Sequence, residues 1–195
     1  WYNYYQEVSE DVIVDDLEYL SKSSLSDEVE YIQIDAGWNS SSSKDWGYWG
    51  DWEAGYGFKK NGLKGIAEKI KAKGYKPGLW FAPLAISEKS NLYQEHPDWI
   101  VKSDEEPQPG NFALDVTKPE VAEWLNELFK KVTEEWGFEY VKLDFLEVGA
   151  VAGERYDKKI TGAGAYRKGL EIIREAVGDD CFILGCGAPI GPSIG

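Results

Sequence analysis

The strongest constraint on this chain is an alternation. Short apolar or β-branched runs are each followed by a longer stretch whose apolar residues recur at helical spacing. Ile13, Leu17 and Leu20 follow Ser9, an expected N-cap, and mark a first helix. Tyr31-Ile32-Gln33-Ile34 then reads as a buried strand ending at Asp35. Leu63, Ile66, Ala67 and Ile70 mark a second helix that Gly74 should end, and Gly78–Ala82 is the next strand. Thr117-Lys118-Pro119-Glu120 has the form of a capping box with Pro in the first turn, and predicts a helix carrying Val121, Leu125, Leu128, Val132 and Trp136. Tyr140–Phe145 is a strand, Tyr166, Leu170, Ile173 and Val177 mark a further helix, and Cys181–Leu184 is the last strand visible.

Strands alternating with helices imply βαβ units around a parallel sheet. Two architectures compete, a doubly wound sheet and a (β/α)₈ barrel. No G-x-G-x-x-G turn follows an early strand, as a doubly wound dinucleotide fold would have it. The long excursions at 36–61 and 84–113 suit loops at the C-terminal face of a barrel. The expected fold is therefore α/β of the (β/α)₈ TIM-barrel type, incomplete, with about five of eight units once a partial first strand ending near Tyr2 is counted. A full barrel takes about 250 residues, and 195 residues without a Met predict one partial domain over 1–195, cut from a longer chain. Its two open edges predict a need for a partner, an oligomer or self-association, or the rest of the parent chain.

Composition narrows the function classes. With 35 Asp+Glu against 21 Lys+Arg the formal charge is −14, so a nucleic-acid partner is disfavoured. At 43% hydrophobic and 29% charged, the chain is globular and carries no membrane span. Cys181 and Cys186 flank a strand, which would hold them about 16 Å apart, beyond bridging distance. Free thiols favour a reducing compartment, so a cytoplasmic location is expected. His96, the only histidine, has no companion ligands, and neither a metal nor a cofactor is expected.

In a barrel the strand ends face the substrate. They offer Asp35, Trp80, Lys142 with Asp144, and Cys186. Lys142 and Asp144 are two apart and share a strand face, where the ammonium favours an ionised carboxylate. Such a pair fits a nucleophile and its partner, or a structural ion pair at the rim. Asp35 could accept hydrogen bonds from sugar hydroxyls or cap a turn. The loop from Trp38 to Phe58 interleaves Trp46, Tyr48, Trp49, Trp52 and Tyr56 with glycines, a pattern suited to stacking on a pyranose. The alternative is an aromatic cluster that holds the loop together.

At this point the residues resemble the melibiase-type α-galactosidases, the family 36 retaining glycoside hydrolases. The landmarks are Ile34-Asp35-Ala36-Gly37-Trp38, Gly50-Asp51-Trp52, Gly62-Leu63-Lys64, Gly78-Leu79-Trp80, Leu114-Asp115-Val116-Thr117 and Lys142-Leu143-Asp144, in that order. The resemblance implies that Asp144 is the nucleophile and that Lys142 contacts a sugar hydroxyl. It implies further that Asp35 binds galactose hydroxyls, that Trp80 and Tyr2 wall the sugar, and that Cys186 lies beside it. The implied partner is an α-linked galactoside or related oligosaccharide. Where that family usually has a second aspartate, this chain has Ala36, and losing a charged acceptor typically costs about 1.5–3 kcal/mol. The acid/base of that family lies on a sixth strand, so the chain alone is expected to be inactive. Other readings are a transglycosylase resembling raffinose synthase, a non-catalytic carbohydrate-binding fragment, and a Schiff-base lyase using Lys142. The last is disfavoured because Asp144 raises rather than lowers the lysine pKa.

Overall fold

A computed structural model describes residues 3–42, 47–104, 107 and 110–194. Five α-helices and six strands follow in chain order: α1 Glu10–Leu20, β1 Tyr31–Ile34, α2 Gly62–Ala72, β2 Lys76–Phe81, β3 Ala85–Ser87, α3 Asn91–Glu95, β4 Asn111–Ala113, α4 Pro119–Lys130, β5 Tyr140–Leu143, α5 Gly162–Val177 and β6 Phe182–Gly185.

The helices start and stop where local chemistry directs. Ser9 caps α1 through the Val12 amide, and Thr161 caps α5 through Gly164. Gly74, Gly137 and Gly178 all take positive φ just past a helix, turning the chain into the next strand. The capping-box expectation holds for the position of α4 but not for its cap. Lys118 is the N-cap residue and makes no side-chain cap bond. Thr117 is drawn off by Asp115, a carboxylate only 1% exposed that needs partners more than the helix does. Past α4 the helix widens into a π turn, Lys131–Glu135, which leads to Trp136 against Trp38.

β1, β2, β5 and β6 form one parallel sheet in the order β1-β2-β5-β6. Gln33, Gly78, Tyr140 and Phe182 lie on one line across it. Ile34, Leu79, Phe81, Val141 and Leu143 are fully buried in one cluster with the helical residues Ile66, Ile70, Val121, Leu125, Phe129 and Ile173. The other face carries Gln33, Trp80, Tyr140 and Lys142 and is bare along β6, where Phe182 and Leu184 are 51% and 40% exposed. A doubly wound sheet would cover both faces with helices. One-sided cover matches an arc of a barrel.

Two details differ from expectation. The stretch 84–113 is not simply a loop: β3 and β4 pair antiparallel, and α3 lies between them, capped by Ser90. The expected first strand ends near Tyr2, outside the described residues, and Tyr5–Glu7 after it form a 3₁₀ turn. β5 ends at Leu143, so Asp144 stands just beyond the ladder. Both cysteines are free.

The Leu-Asp-Val-Thr landmark is a clasp. Asp115 accepts from the Thr117 amide at 3.1 Å, the Thr117 hydroxyl at 2.6 Å and the Tyr156 amide at 2.7 Å. Thr117 in turn accepts from the Asp157 amide at 3.0 Å. Beside it the buried Arg155 donates to the carbonyls of Gly149, Val151 and Gly153. Together they tie down the segment that follows β5. Asp115→Ala should orphan these donors and lower the unfolding free energy by about 2–4 kcal/mol, read from the urea midpoint. An unchanged midpoint would show that the clasp holds nothing.

Candidate active site

The site is built at the C-terminal ends of β1, β2 and β5 and just past β6. Backbone bonds extend the ladder there: the Asp144 amide donates to Phe81 O at 2.8 Å and the Cys186 amide to Leu143 O at 2.7 Å. Phe145 then takes a left-handed conformation at φ 51, a strained state for a residue with a side chain. The turn presents its amide to the side chain of the residue before it, and Phe145 N donates to Asp144 Oδ1 at 2.9 Å. The Phe145 ring is held by Trp49, with centroids 4.7 Å apart.

Trp80 Nε1 donates to Asp144 Oδ2 at 3.0 Å, and Trp80 is itself anchored by Trp38, whose indole donates to the Trp80 carbonyl at 2.8 Å. The Cys186 thiol beside Asp144 also favours its ionised form. Burial alone would push the Asp144 carboxyl up. Cys186, the bonds from Trp80 and Phe145, and the charge of Lys142 outweigh it and hold the pKa below the ordinary carboxylate value. The same contact pushes the Cys186 thiol upward, so it stays neutral.

Lys142 reaches sideways. Burial would lower its pKa, but a hydrogen bond and charge from Asp35, followed by the charge of Asp144, raise it. Its Nζ lies 2.9 Å from Asp35 Oδ2, with side chains 20% and 15% exposed. The direct ion pair is thus Lys142–Asp35, and Asp144 feels the ammonium only through its field. Asp35 Oδ1 accepts from the Ala36 amide at 2.9 Å. Asp35, Trp80, Lys142, Asp144 and Cys186 therefore converge as one constellation. Tyr2 and Trp46 lie outside the described residues.

The aromatic loop divides. Trp38 and Trp52 are core residues, fully or almost fully buried and packed on each other and on Phe81, so for them cluster wins over sugar contact. Among the described residues, Trp52 Nε1 is buried without a hydrogen-bond partner, an arrangement that costs about 1–3 kcal/mol against its packing. Trp49 is half-buried and sits next to the Asp144 turn. Asp51 receives the start of α3, accepting from the Asn91 and Leu92 amides. His96 caps the end of α3 and stacks on Trp99, a structural placement. Gln33 and Tyr140 were not singled out from the sequence, yet Gln33 bonds to Asp35 and Tyr140 bonds to Gln33 behind it. The available signal was Gln33 itself, a lone polar residue two before Asp35 in an apolar run.

The model of the family described as Melibiase matches residues 2–175. Alpha-galactosidase AgaA of Geobacillus stearothermophilus is 30% identical over 131 residues, which is 64% of this chain and 18% of that protein. Alpha-galactosidase Mel36A of Lactobacillus acidophilus is 33% identical over 60% of this chain and 16% of its own length. TtGalA, an alpha-galactosidase from Thermus thermophilus solved with p-nitrophenyl alpha-D-galactopyranoside, superposes on all of this chain with a TM-score of 0.81 and 34% identity. Only 38% of TtGalA is covered, so the chain spans well under half of each of these relatives. With a match over most of its length and a site assembled from the family's landmark segments, the chain belongs to the melibiase family.

Proposed function

We propose that this chain is the nucleophile-bearing part of a retaining glycoside hydrolase acting on α-galactosides. The observation that carries the reading is Asp144. Its half-buried carboxylate is held ionised by two hydrogen bonds, the Cys186 thiol and a neighbouring ammonium, at the sheet end where a barrel binds its substrate. The α-galactosidase relatives, one of them with an α-galactoside bound, support the same substrate class.

In this reading Asp144 attacks the anomeric carbon and displaces the aglycone oxygen, which takes its proton from a second carboxyl. A covalent glycosyl-enzyme results. Water then attacks the same carbon, gives its proton to that second carboxyl, now a base, and frees Asp144. A retaining pair stands about 5–5.5 Å apart. We assign the second carboxyl to the remainder of a longer polypeptide, whose further strands would also cover the open edges of β1 and β6. Asp35 and Lys142 bind sugar hydroxyls and Cys186 borders the sugar, while Trp80, only 4% exposed, backs the site by holding Asp144 rather than by offering a broad wall. Ala36 leaves Asp35 alone at the end of β1, which favours a wider choice of α-linked sugars than a two-aspartate site allows.

Three outcomes test the reading in the full-length enzyme. A fluorinated galactosyl inactivator should label Asp144, located by peptide mass spectrometry, and Asp144→Asn should lower kcat by on the order of 10⁴-fold or more. An active enzyme labelled elsewhere would overturn the assignment. Because the Asp144 pKa is depressed, the carboxylate stays ionised until the pH falls below the ordinary aspartate value of about 3.9. The acid limb of kcat/KM should lie below that value, and Trp80→Phe, which removes a donor but keeps the burial, should move it upward. Ala36→Asp should tighten the binding of p-nitrophenyl α-galactoside about tenfold or more, measured as KM.

A further inference from the structure

We propose that Gln33 and Tyr140 are positioning residues that fix the direction in which Asp35 meets the substrate. The inference rests on the sugar-binding role given to Asp35 above. Gln33 is two residues before Asp35 and shares its face of β1. Tyr140 is two before Lys142 on β5, and β2 lies between the two strands. Crossing β2 means spanning about 10 Å, two strand spacings, over whatever side chain β2 presents there. That residue is Gly78, in register with both Gln33 and Tyr140. A Cβ on Gly78 would run into the Tyr140 ring, so only glycine lets the ring lie across the strand. Edge contacts with Tyr31 and Phe182, at 5.5 and 5.4 Å, hold the ring in place.

The tyrosine hydroxyl then reaches Gln33 Oε1 at 2.5 Å, and Gln33 Nε2 donates to Asp35 Oδ2, also at 2.5 Å. The amide has one workable orientation, since turning it over would set its carbonyl against a carboxylate. Among the described residues, Asp35 Oδ2 thus takes both Gln33 and Lys142, while Oδ1 takes only the Ala36 amide. Each carboxylate oxygen has about two acceptor positions. What the described residues leave Asp35 for a ligand is one position on Oδ1, aimed by the Tyr140–Gln33 chain behind it. Neither Gln33 nor Tyr140 contributes one of the hydrogen bonds that depress the Asp144 pKa. Their effect falls on sugar binding and leaves the chemistry at Asp144 alone.

The test uses the full-length enzyme, with galactose affinity from calorimetry and p-nitrophenyl α-galactoside kinetics. Gln33→Leu should weaken galactose binding and raise KM about tenfold, with kcat within about twofold of wild type. Tyr140→Phe should act in the same direction and less. The double variant should be no worse than Gln33→Leu, because both act along one path. Galactose affinity unchanged in Gln33→Leu, a fall in kcat at constant KM, or a double variant equal to the product of the two singles would each overturn the inference. Inactivator labelling counts correctly folded sites in every variant. Calorimetry needs no turnover, so a wild type that binds galactose without hydrolysing it would defeat only the catalytic reading. A wild type that binds no galactose would overturn both.

Discussion

Two carboxylates and one ammonium share a half-buried face at the end of a parallel sheet, and much of this structure exists to make that arrangement tolerable. Charges removed from water are costly unless paired and hydrogen-bonded. Lys142 neutralises only one of its two neighbours directly, so Asp144 has to be satisfied by neutral groups: an indole, a main-chain amide and a thiol. Each group has its own support. Trp80 is hung on Trp38, the Phe145 amide is aimed by a left-handed turn that Trp49 braces, and Cys186 is fixed by its bond to the end of β5. The result is a carboxylate whose pKa stays below the ordinary value in surroundings that by burial alone would raise it.

The supports reach well outside the site. The buried Asp115 and Arg155 do not approach the substrate side, yet they fasten the segment that leaves Asp144. Trp38 and Trp52 fill the core under the C-terminal rim and carry no ligand-facing surface. Rigid scaffolding of this kind accounts for several segments of this chain that lie outside the site. Asp51 anchors a helix, Asp115 anchors a loop, and only the residues at the strand ends meet in the site.

Much of the fold could be read along the chain. The helical spacing of Leu63, Ile66 and Ile70, the run Tyr31–Ile34 and the glycines after helices are local signals, and each element formed where those signals stood. The small β3–β4 ribbon was not legible because each strand is three residues long and is stabilised by its partner rather than by its own pattern. Thr117 shows the same limit in another way. As a local sequence it is a cap, but a buried carboxylate two residues away competed for its hydroxyl and won.

Taken alone, the sequence determined the α/β alternation, the strand-end residues Asp35, Trp80, Lys142, Asp144 and Cys186, and the shared parity of Lys142 and Asp144, because these follow from periods of 3.6 and 2. Tertiary structure decided which carboxylate Lys142 pairs with, which tryptophans became core, and that Tyr140 crosses Gly78 to reach Gln33. Those outcomes depend on the register between strands far apart in sequence, and no local pattern encodes which side chains such a register brings within bonding distance.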